Sequence, residues 1–303
     1  MSRQPSILIR TLIQEPNVML NLYTPFPRYE NIIIVGDTAA EALATLRIWG
    51  RALVGGDIPG MEVLHPAEKM LECTHCAMRD RPKILDAAAR RLGVDFILLE
   101  ENGLPDLNPA HMKADLEREG FTVKVLDVRG SAVEVLRRAG ALMGEEKHAE
   151  RMAGDWETRM ARLQELRAAS PLPSLKILPV LGIRHPVEDQ VYGFLATAES
   201  DLTRELMEPL GLVNVVGKRC GEVLPGAVET DMAVMAEIIR RERVDVIALC
   251  GDAAAAASLA LPLLKEVGTV ERPVLLPLPW HCRPMMWRLP RSMEVWYGTL
   301  KGI

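Results

Sequence analysis

The chain contains few aromatic residues and carries no excess of positive charge. Its 303 residues include only five Trp, four Tyr and four Phe, and its formal net charge at pH 7 is −5. A nucleic-acid partner requires a basic surface and usually aromatic rings on which bases stack. This composition therefore excludes nucleic acid as the expected partner.

A long uninterrupted apolar run is also missing. The longest apolar stretch, residues 246–264, is broken by Gly251 and Asp252 and contains Pro262. A bilayer-spanning helix needs about 20 predominantly apolar residues. We therefore expect no membrane insertion.

The N-terminal region lacks the pattern of a secretory signal. Residues 6–16 are mostly apolar, but Arg10, Gln14 and Glu15 interrupt them, whereas a signal peptide has an uninterrupted apolar centre and small residues at its cleavage site. The sequence therefore predicts a cytoplasmic protein. A periplasmic location is the alternative, if the chain is a processed or cloned mature form.

Cysteine is scarce, and the number of cysteines is odd. Five cysteines occur in a chain that is long enough to bury a core without covalent cross-links. A disulfide framework is therefore not expected. The thiols are predicted to be free or to bind a metal.

What the sequence does contain is a repeated alternation of strand and helix patterns. In the first half, buried-strand runs alternate with helical apolar spacing, which indicates a parallel sheet covered by helices on both faces. The predicted strands are residues 32–35, 96–99 and 123–128, and the predicted helices are residues 39–49, 109–119 and 131–143.

A long amphipathic segment divides this pattern into two halves. Residues 145–169 carry an apolar stripe on a charged helix, formed by Ala149, Met152, Trp156, Met160, Leu163 and Leu166. The prolines in residues 170–174 end the helix. The alternation then restarts, with predicted strands at 175–181, 244–249 and 274–276 and predicted helices at 201–210, 232–243, 253–267 and 292–300.

The predicted fold is therefore α/β, with two Rossmann-like lobes that have parallel central sheets and are joined by a single long backbone helix. The predicted divisions are an N-terminal extension (1–30), an N-terminal lobe (31–144), the connecting helix (145–170) and a C-terminal lobe (171–303).

The order and spacing of these patterns over residues 31–303 resemble a known family. The matching passages are residues 32–43 leading to 52–56, 92–99, 116–125, the long helix, 243–247, and the Pro-Arg-Ser at 290–292 before the last helix. The sequence resembles the periplasmic substrate-binding proteins of ABC importers for corrinoids, haem and ferric siderophores. The resemblance implies a ligand cleft between the lobes, lined by loops at the carboxyl ends of strands.

The resemblance also implies an acidic residue on each lobe that docks onto an ABC transporter permease. In the C-terminal lobe this position falls on Glu237. In the N-terminal lobe it falls on Ala87 or Pro82, neither of which can form an ion pair. The docking acid of the first lobe is therefore missing.

The loops assigned to the cleft contain most of the reactive side chains. All five cysteines lie in them, together with His65, His75, His185 and His281. The assigned loops are residues 36–38, 55–80, 101–108, 182–199, 217–229, 250–253 and 277–289.

A metal site is predicted at Cys73 and Cys76, because a Cys-x-x-Cys pair can place two thiolates on one metal. His75 and, from the other lobe, Cys282 are the further candidate ligands. The bound group would be a metal ion or an iron–sulfur cluster. The alternative is a loop with two inert thiols.

The remaining candidates would bind a small-molecule ligand directly. Carboxylates and amides offer oxygen donors, Arg and His contact anionic groups, and Trp covers a flat apolar face such as that of a corrinoid or haem. For each one, an ordinary role in a loop or the core is the alternative. The candidates are Asp37, Glu101, Asn102, Arg184, His185, Trp280, His281, Arg283 and Trp287.

Two functions remain open. The first is a ligand-binding protein, not an enzyme, that holds a metal chelate between its lobes. The alternative is a cytoplasmic metallocofactor protein or enzyme, chelatase- or reductase-like, with a Cys/His-ligated metal or iron–sulfur cluster. The sequence has no HExxH motif, and the glycine-rich residues 55–60 lack the lysine of a phosphate-binding loop.

Overall fold

The computed structural model describes residues 27–56, 65–80, 83–184, 190–217, 222–224, 227–230, 232–266 and 273–303. In these residues the strands, numbered in chain order, are β1 (Arg28–Tyr29), β2 (Ile32–Val35), β3 (Ile48–Trp49), β4 (Ala52–Val54), β5 (Lys69–Glu72), β6 (Phe96–Glu101), β7 (Thr122–Asp127), β8 (Lys176–Arg184), β9 (Val191–Ala196), β10 (Val213–Asn214), β11 (Glu222–Leu224), β12 (Ala227–Glu229), β13 (Val246–Gly251) and β14 (Val274–Pro277).

The α-helices of the same residues are α1 (Asp37–Thr45), α2 (Ile84–Leu92), α3 (Lys113–Arg118), α4 (Ala132–Met143), α5 (Glu146–Ala169), α6 (Met232–Glu242), α7 (Ala253–Glu266) and α8 (Leu289–Leu300). Shorter π- or 3₁₀-helical segments are Cys76–Asp80, Pro109–Met112, Leu202–Met207, Glu208–Leu210 and Arg283–Arg288.

The N-terminal lobe contains a five-stranded sheet in the order β5-β4-β2-β6-β7, with every pair parallel. All four residues of β2 are buried. Side chains alternate between the faces of a strand, so Ile32 and Ile34 pack beneath α1 and α4, whereas Ile33 and Val35 pack beneath α2 and α3. The predicted parallel sheet covered on both faces is confirmed.

The C-terminal lobe contains a seven-stranded sheet in the order β11-β12-β9-β8-β13-β14, with β10 beside the start of β8. Strands β8, β10, β13 and β14 are parallel, as predicted. Strands β9, β11 and β12 pair antiparallel and were not predicted. Only residues 185–190 separate β8 from β9, and a parallel crossover needs a dozen residues or more. The mixed sheet follows from this short connection.

Helix α5 lies within residues 145–170, the range assigned to the connecting helix, and packs against both lobes. Its 24 residues span about 36 Å at 1.5 Å per residue. Ala149 and Ala153 are buried in the core of the N-terminal lobe, and Leu163 is buried in that of the C-terminal lobe. Trp156 contacts both cores. The apolar stripe of α5 therefore packs against the cores of both lobes.

A second connection was not predicted. Residues Arg283–Arg288 follow β14, and the predicted boundaries assign them to the C-terminal lobe. In the structure Met286 and Trp287 are buried in the core of the N-terminal lobe, against α1 and α4. Trp156 on α5 donates from Nε1 to the Met286 carbonyl at 3.0 Å. We name Arg283–Arg288 the crossing segment.

One predicted helix is too long. Residues 39–49 were assigned to a single helix, but α1 ends at Thr45. Arg47 has φ of 61°, a left-handed conformation that an α-helix does not continue through. Ile48 and Trp49 then form β3, which pairs with β1 in the region assigned to the N-terminal extension.

Candidate functional site

A contact between the two lobes joins loops that follow the carboxyl ends of their strands. Arg283, which follows β14, donates from its guanidinium to the carbonyl oxygen of Gly130, which follows β7, at 2.7 Å. This contact joins the two carboxyl edges on one side. Open α/β sheets bind ligands at such edges. We call the loops at the carboxyl ends of β2, β4, β5, β6, β8, β13 and β14 the cleft rim.

Two buried acids shape the rim after β2. Asp37 is 3% exposed and accepts the backbone N–H of Gly56 with both carboxylate oxygens, at 2.9 and 3.2 Å. Glu100 accepts the N–H of Ala39 at 3.0 Å. Gly36, with φ of 121°, lies so close to Glu100 that a Cβ would sit 2.4 Å from the Cβ of that residue. Asp37 thus orders the rim, and ligand binding by it stays a prediction.

Glu101 and Asn102 lie at the end of β6, where the sequence placed them, and both are half-buried. Glu101 Oε1 accepts from Asn108 Nδ2 at 2.6 Å, and Asn102 Nδ2 donates to the Leu107 carbonyl at 3.0 Å. These bonds close the loop of residues 102–108. Direct contact with a ligand stays a prediction for both side chains.

The rim of the C-terminal lobe carries an ion pair between Arg184 and Asp252, with Arg184 Nε 3.3 Å from Asp252 Oδ2. Asp252 Oδ1 also accepts the N–H of Ala255 at 2.9 Å, in the first turn of α7. This backbone hydrogen bond, with Arg184, lowers the pKa of Asp252. His185, the neighbouring candidate, lies outside the described residues.

The loop after β14 places His281 in a buried position. Its side chain is 0% exposed, and its Nε2 lies 2.9 Å from Glu205 Oε2. The hydrogen bond with His281, together with the nearby charge of Arg283, lowers the pKa of Glu205. His281 Nδ1 is buried without a hydrogen-bond partner among the described residues. Trp280, beside it, is half-buried.

Three further candidates belong to the connection between the lobes. Arg283 donates from its backbone N–H to Asp201 at 2.7 Å, besides its bond to Gly130. Cys282 is half-buried against the core of the N-terminal lobe, and burial raises the pKa of its thiol. Trp287 is 9% exposed and donates from Nε1 to the Ala132 carbonyl at 2.9 Å. Its rings are covered by protein, so ligand contact by Trp287 stays a prediction without structural support.

The Cys-x-x-Cys segment follows β5 on the rim. The ligand atoms of Glu72, Cys73 and Cys76 all lie within 4.8 Å of one another. The N–H of Cys76 donates to Cys73 Sγ at 3.2 Å. His75 is exposed and does not belong to this group, and neither does Cys282. Glu72, which directly precedes Cys73, was not among the metal ligands predicted from the sequence.

A charged network that the sequence did not reveal lies in the N-terminal lobe, where the chain leads into β5. His65 is 1% exposed, with Nε2 3.0 Å from Glu41 Oε1 and Nδ1 2.7 Å from Glu68 Oε2. Arg288 of the crossing segment donates to both oxygens of Glu41, at 2.7 and 2.8 Å. Glu68 also accepts the N–H of Gly50 at 2.6 Å.

This network determines the charge of His65. Burial by itself lowers the pKa of His65, but the hydrogen bonds and charges of Glu41 and Glu68 outweigh it and raise that pKa to about 9. The imidazolium is therefore the favoured form at neutral pH. The sequence placed His65 in a loop lining the cleft. In the structure its side chain is buried between Glu41 and Glu68. The His-x-x-Glu spacing at 65–68 is the only sequence signal of the network.

Comparison by structure gives a consistent set of neighbours. Periplasmic haem-binding protein RhuT from Roseiflexus sp. RS-1 matches with TM-score 0.60 at 12% identity, covering 90% of this chain and 98% of that one. The siderophore periplasmic binding protein from the fuscachelin gene cluster of Thermobifida fusca matches with TM-score 0.59 at 14% identity, covering 90% and 97%. Periplasmic vitamin B12 binding protein BtuF of Vibrio cholerae matches with TM-score 0.53 at 16% identity, covering 91% and 98%.

No protein-family model matches this chain, and no curated protein matches it by sequence. Among the described residues, every helix is too short or too polar to cross a lipid bilayer. At these identities the structural matches establish the fold. The chain has the fold of the periplasmic haem-, vitamin B12- and siderophore-binding proteins, as the sequence resemblance predicted.

Proposed function

We propose that the protein binds a metal chelate, of the corrinoid, haem or ferric siderophore type, in the cleft between its two lobes. One observation carries this proposal. The hydrogen bond from Arg283 to the Gly130 carbonyl joins a loop after β14 in one lobe to a loop after β7 in the other, so the carboxyl edges of the two sheets lie next to each other. Ligands of α/β proteins bind outside the carboxyl ends of the strands. The fold shared with the haem-, B12- and siderophore-binding proteins supports the class of ligand.

The polar side chains on the rim fit a chelate that carries carboxylate groups. The side chains of Arg184, at the end of β8, and of Arg283, at the start of the crossing segment, are 40% and 51% exposed. A guanidinium matches a carboxylate with two parallel hydrogen bonds. Trp280, in the loop after β14, is half-buried against the core of the C-terminal lobe, and its partly exposed side chain offers an apolar surface. This combination suits a flat or compact chelate with an anionic edge.

The two connections between the lobes support a cleft of nearly fixed width. Helix α5 contributes side chains to both cores. Arg159 on α5 also pairs with both oxygens of Glu294 on α8, at 2.6 and 3.0 Å. A cleft that is formed before the ligand arrives loses less conformational entropy on binding.

We further propose an ABC transporter permease as the protein partner. Glu237 on α6 is the candidate docking acid. Its side chain is 69% exposed, and its Oε1 lies 3.7 Å from Arg241 Nη1.

The solved neighbours named above are periplasmic proteins, which supports the periplasmic alternative over the cytoplasmic prediction. They are also named as binding proteins, which fits a protein that is not an enzyme. The chelatase- or reductase-like alternative has no comparable support.

Titration with chelates of the three classes tests the proposed function. We expect the purified protein to bind one equivalent of haem, cobalamin or a ferric siderophore, with a saturable change in the visible spectrum. Arg184→Ala is expected to weaken binding of a carboxylate-bearing chelate roughly 10- to 150-fold, because a charge-assisted hydrogen bond contributes roughly 1.5–3 kcal/mol.

The matched control for this titration is Arg118→Ala. Arg118 is an exposed arginine near the end of α3, next to the start of β7 and therefore at the opposite edge of the sheet from the cleft rim. It is expected to leave the affinity unchanged. Failure of all three chelate classes to bind would contradict the proposal.

A further inference from the structure

We propose that Glu72, Cys73 and Cys76 form a binding site for one zinc-class divalent cation at the carboxyl end of β5. The site goes beyond the proposed function, since the chain's own side chains hold this cation independently of any chelate in the cleft. Cys73 and Cys76 carry the two sulfur ligands, and Glu72 carries the oxygen ligand.

The geometry lies close to that of a metal site. The three ligand atoms lie within 4.8 Å of one another. Two thiolates on one tetrahedral zinc lie about 3.8 Å apart, because each Zn–S bond is about 2.3 Å. Small side-chain rotations that shorten the separation of the ligand atoms by about 1 Å are enough to reach this distance. All three residues are half-buried, so a cation can enter from solvent.

Backbone hydrogen bonds hold the proposed ligands in one turn. The N–H of Cys76 donates to Cys73 Sγ at 3.2 Å, which keeps the two cysteines on the same side of that turn. The N–H of Cys73 donates to Glu72 Oε1 at 3.2 Å, which directs the carboxylate toward the same turn. Gly56 approaches from the loop after β4, where a Cβ would lie 3.9 Å from Cys73 Cβ.

The donor set selects the class of metal. Two thiolates and one carboxylate are ligands of zinc and of similar borderline cations, whereas Mg²⁺ and Ca²⁺ prefer sites made of oxygen alone. An iron–sulfur cluster is normally held by four protein ligands, and this group of described residues offers two thiolates. Three protein ligands leave a fourth position for water or another donor.

The assignment changes the predicted ligands. His75 lies between the two cysteines in sequence, but its side chain is exposed and outside the group. Cys282 packs against the core of the N-terminal lobe instead. Glu72 replaces both as the third ligand. His75 therefore supplies a matched control variant within the same turn.

Equilibrium dialysis of the reduced, chelator-stripped full chain against Zn²⁺ tests the site. The wild type and His75→Ala are expected to bind one equivalent. The double variant Cys73→Ser/Cys76→Ser is expected to lose it. Glu72→Gln is expected to bind at least about 10-fold more weakly, since even the loss of a group that only supports a ligand costs about 10- to 100-fold. Circular dichroism of each variant checks that the fold is retained.

Replacement of Zn²⁺ by Co²⁺ identifies the ligands directly. Thiolate-to-cobalt charge-transfer absorption is expected in the wild type and in His75→Ala, and is expected to vanish in the double variant. The proposal is overturned if the double variant keeps one equivalent, if His75→Ala loses it, or if the reduced wild type binds none. Chelate titration of the double variant keeps the two proposals separate, since the cleft is expected to bind its chelate without the zinc.

Discussion

Raising the pH from 6.5 to above 9 is expected to lower the free energy of unfolding by about 3 kcal/mol through His65 alone. The pKa of His65 is raised to about 9 in the folded protein, against about 6.5 in the unfolded chain. A shift of one pKa unit corresponds to about 1.4 kcal/mol. The expected loss therefore follows from the size of the shift.

The sign follows from which state binds the proton more tightly. The folded state holds the His65 proton between Glu41 and Glu68, so its contribution is fully present below pH 6.5. This contribution of His65 to the free energy of unfolding is lost as the pH rises through about 9, where the folded protein also releases the proton. Above that pH two buried carboxylates face a neutral ring, and Arg288 remains the counter-ion of Glu41 alone.

Urea denaturation at several pH values between 6 and 10 measures this effect. His65→Gln is expected to be less stable than the wild type at pH 6.5 and to lose most of the decline with pH. His111→Gln, which replaces an exposed histidine, is the matched control and is expected to keep the full decline. Equal pH dependence in wild type and His65→Gln would show that the network does not hold a proton.

Trp287→Ala is expected to destabilise the protein by about 3–5 kcal/mol, the usual cost of truncating a large buried aromatic side chain. Trp287 is 9% exposed and lies in the core of the N-terminal lobe. Its truncation also removes the hydrogen bond to the Ala132 carbonyl. The effect spans both lobes, because Trp287 anchors the crossing segment that comes from the C-terminal sheet.

Chemical denaturation and ligand titration together separate the two roles considered for Trp287. Trp287→Phe keeps most of the volume and is expected to cost less than Trp287→Ala. Leu104→Ala, at a side chain that is 51% exposed, is expected to change stability by less than about 0.5 kcal/mol. A Trp287→Ala variant of unchanged stability but lost chelate binding would assign Trp287 to the cleft surface instead of the core.

The fold was largely predictable because its strongest signals are local. The apolar run of β2 and the apolar stripe of α5 each lie within one continuous stretch of sequence, and each formed the predicted element. Strand β9 was missed because its six residues show no regular alternation and lie between turn-rich segments. Such a strand is stabilised mainly by its neighbours β8 and β12.

The site was less predictable because it depends on contacts between distant residues. Glu41 and Arg288 are 247 positions apart, and nothing in either local sequence indicates the other. Trp287 was expected to contact a ligand, but a large apolar side chain is equally typical of a core, and Trp287 is buried in the core of the N-terminal lobe. The Cys-x-x-Cys spacing identified Cys73 and Cys76, but the third member of that group depends on how β5 ends.

The absorbance spectrum and metal content of the protein isolated from its native host test the central claim most directly. If the cleft holds a metal chelate, the isolated protein is expected to show a visible absorption band and about one equivalent of iron or cobalt, distinct from any zinc at Cys73 and Cys76. A colourless protein without iron or cobalt, which also takes up no haem, cobalamin or ferric siderophore when these are added, would contradict the claim.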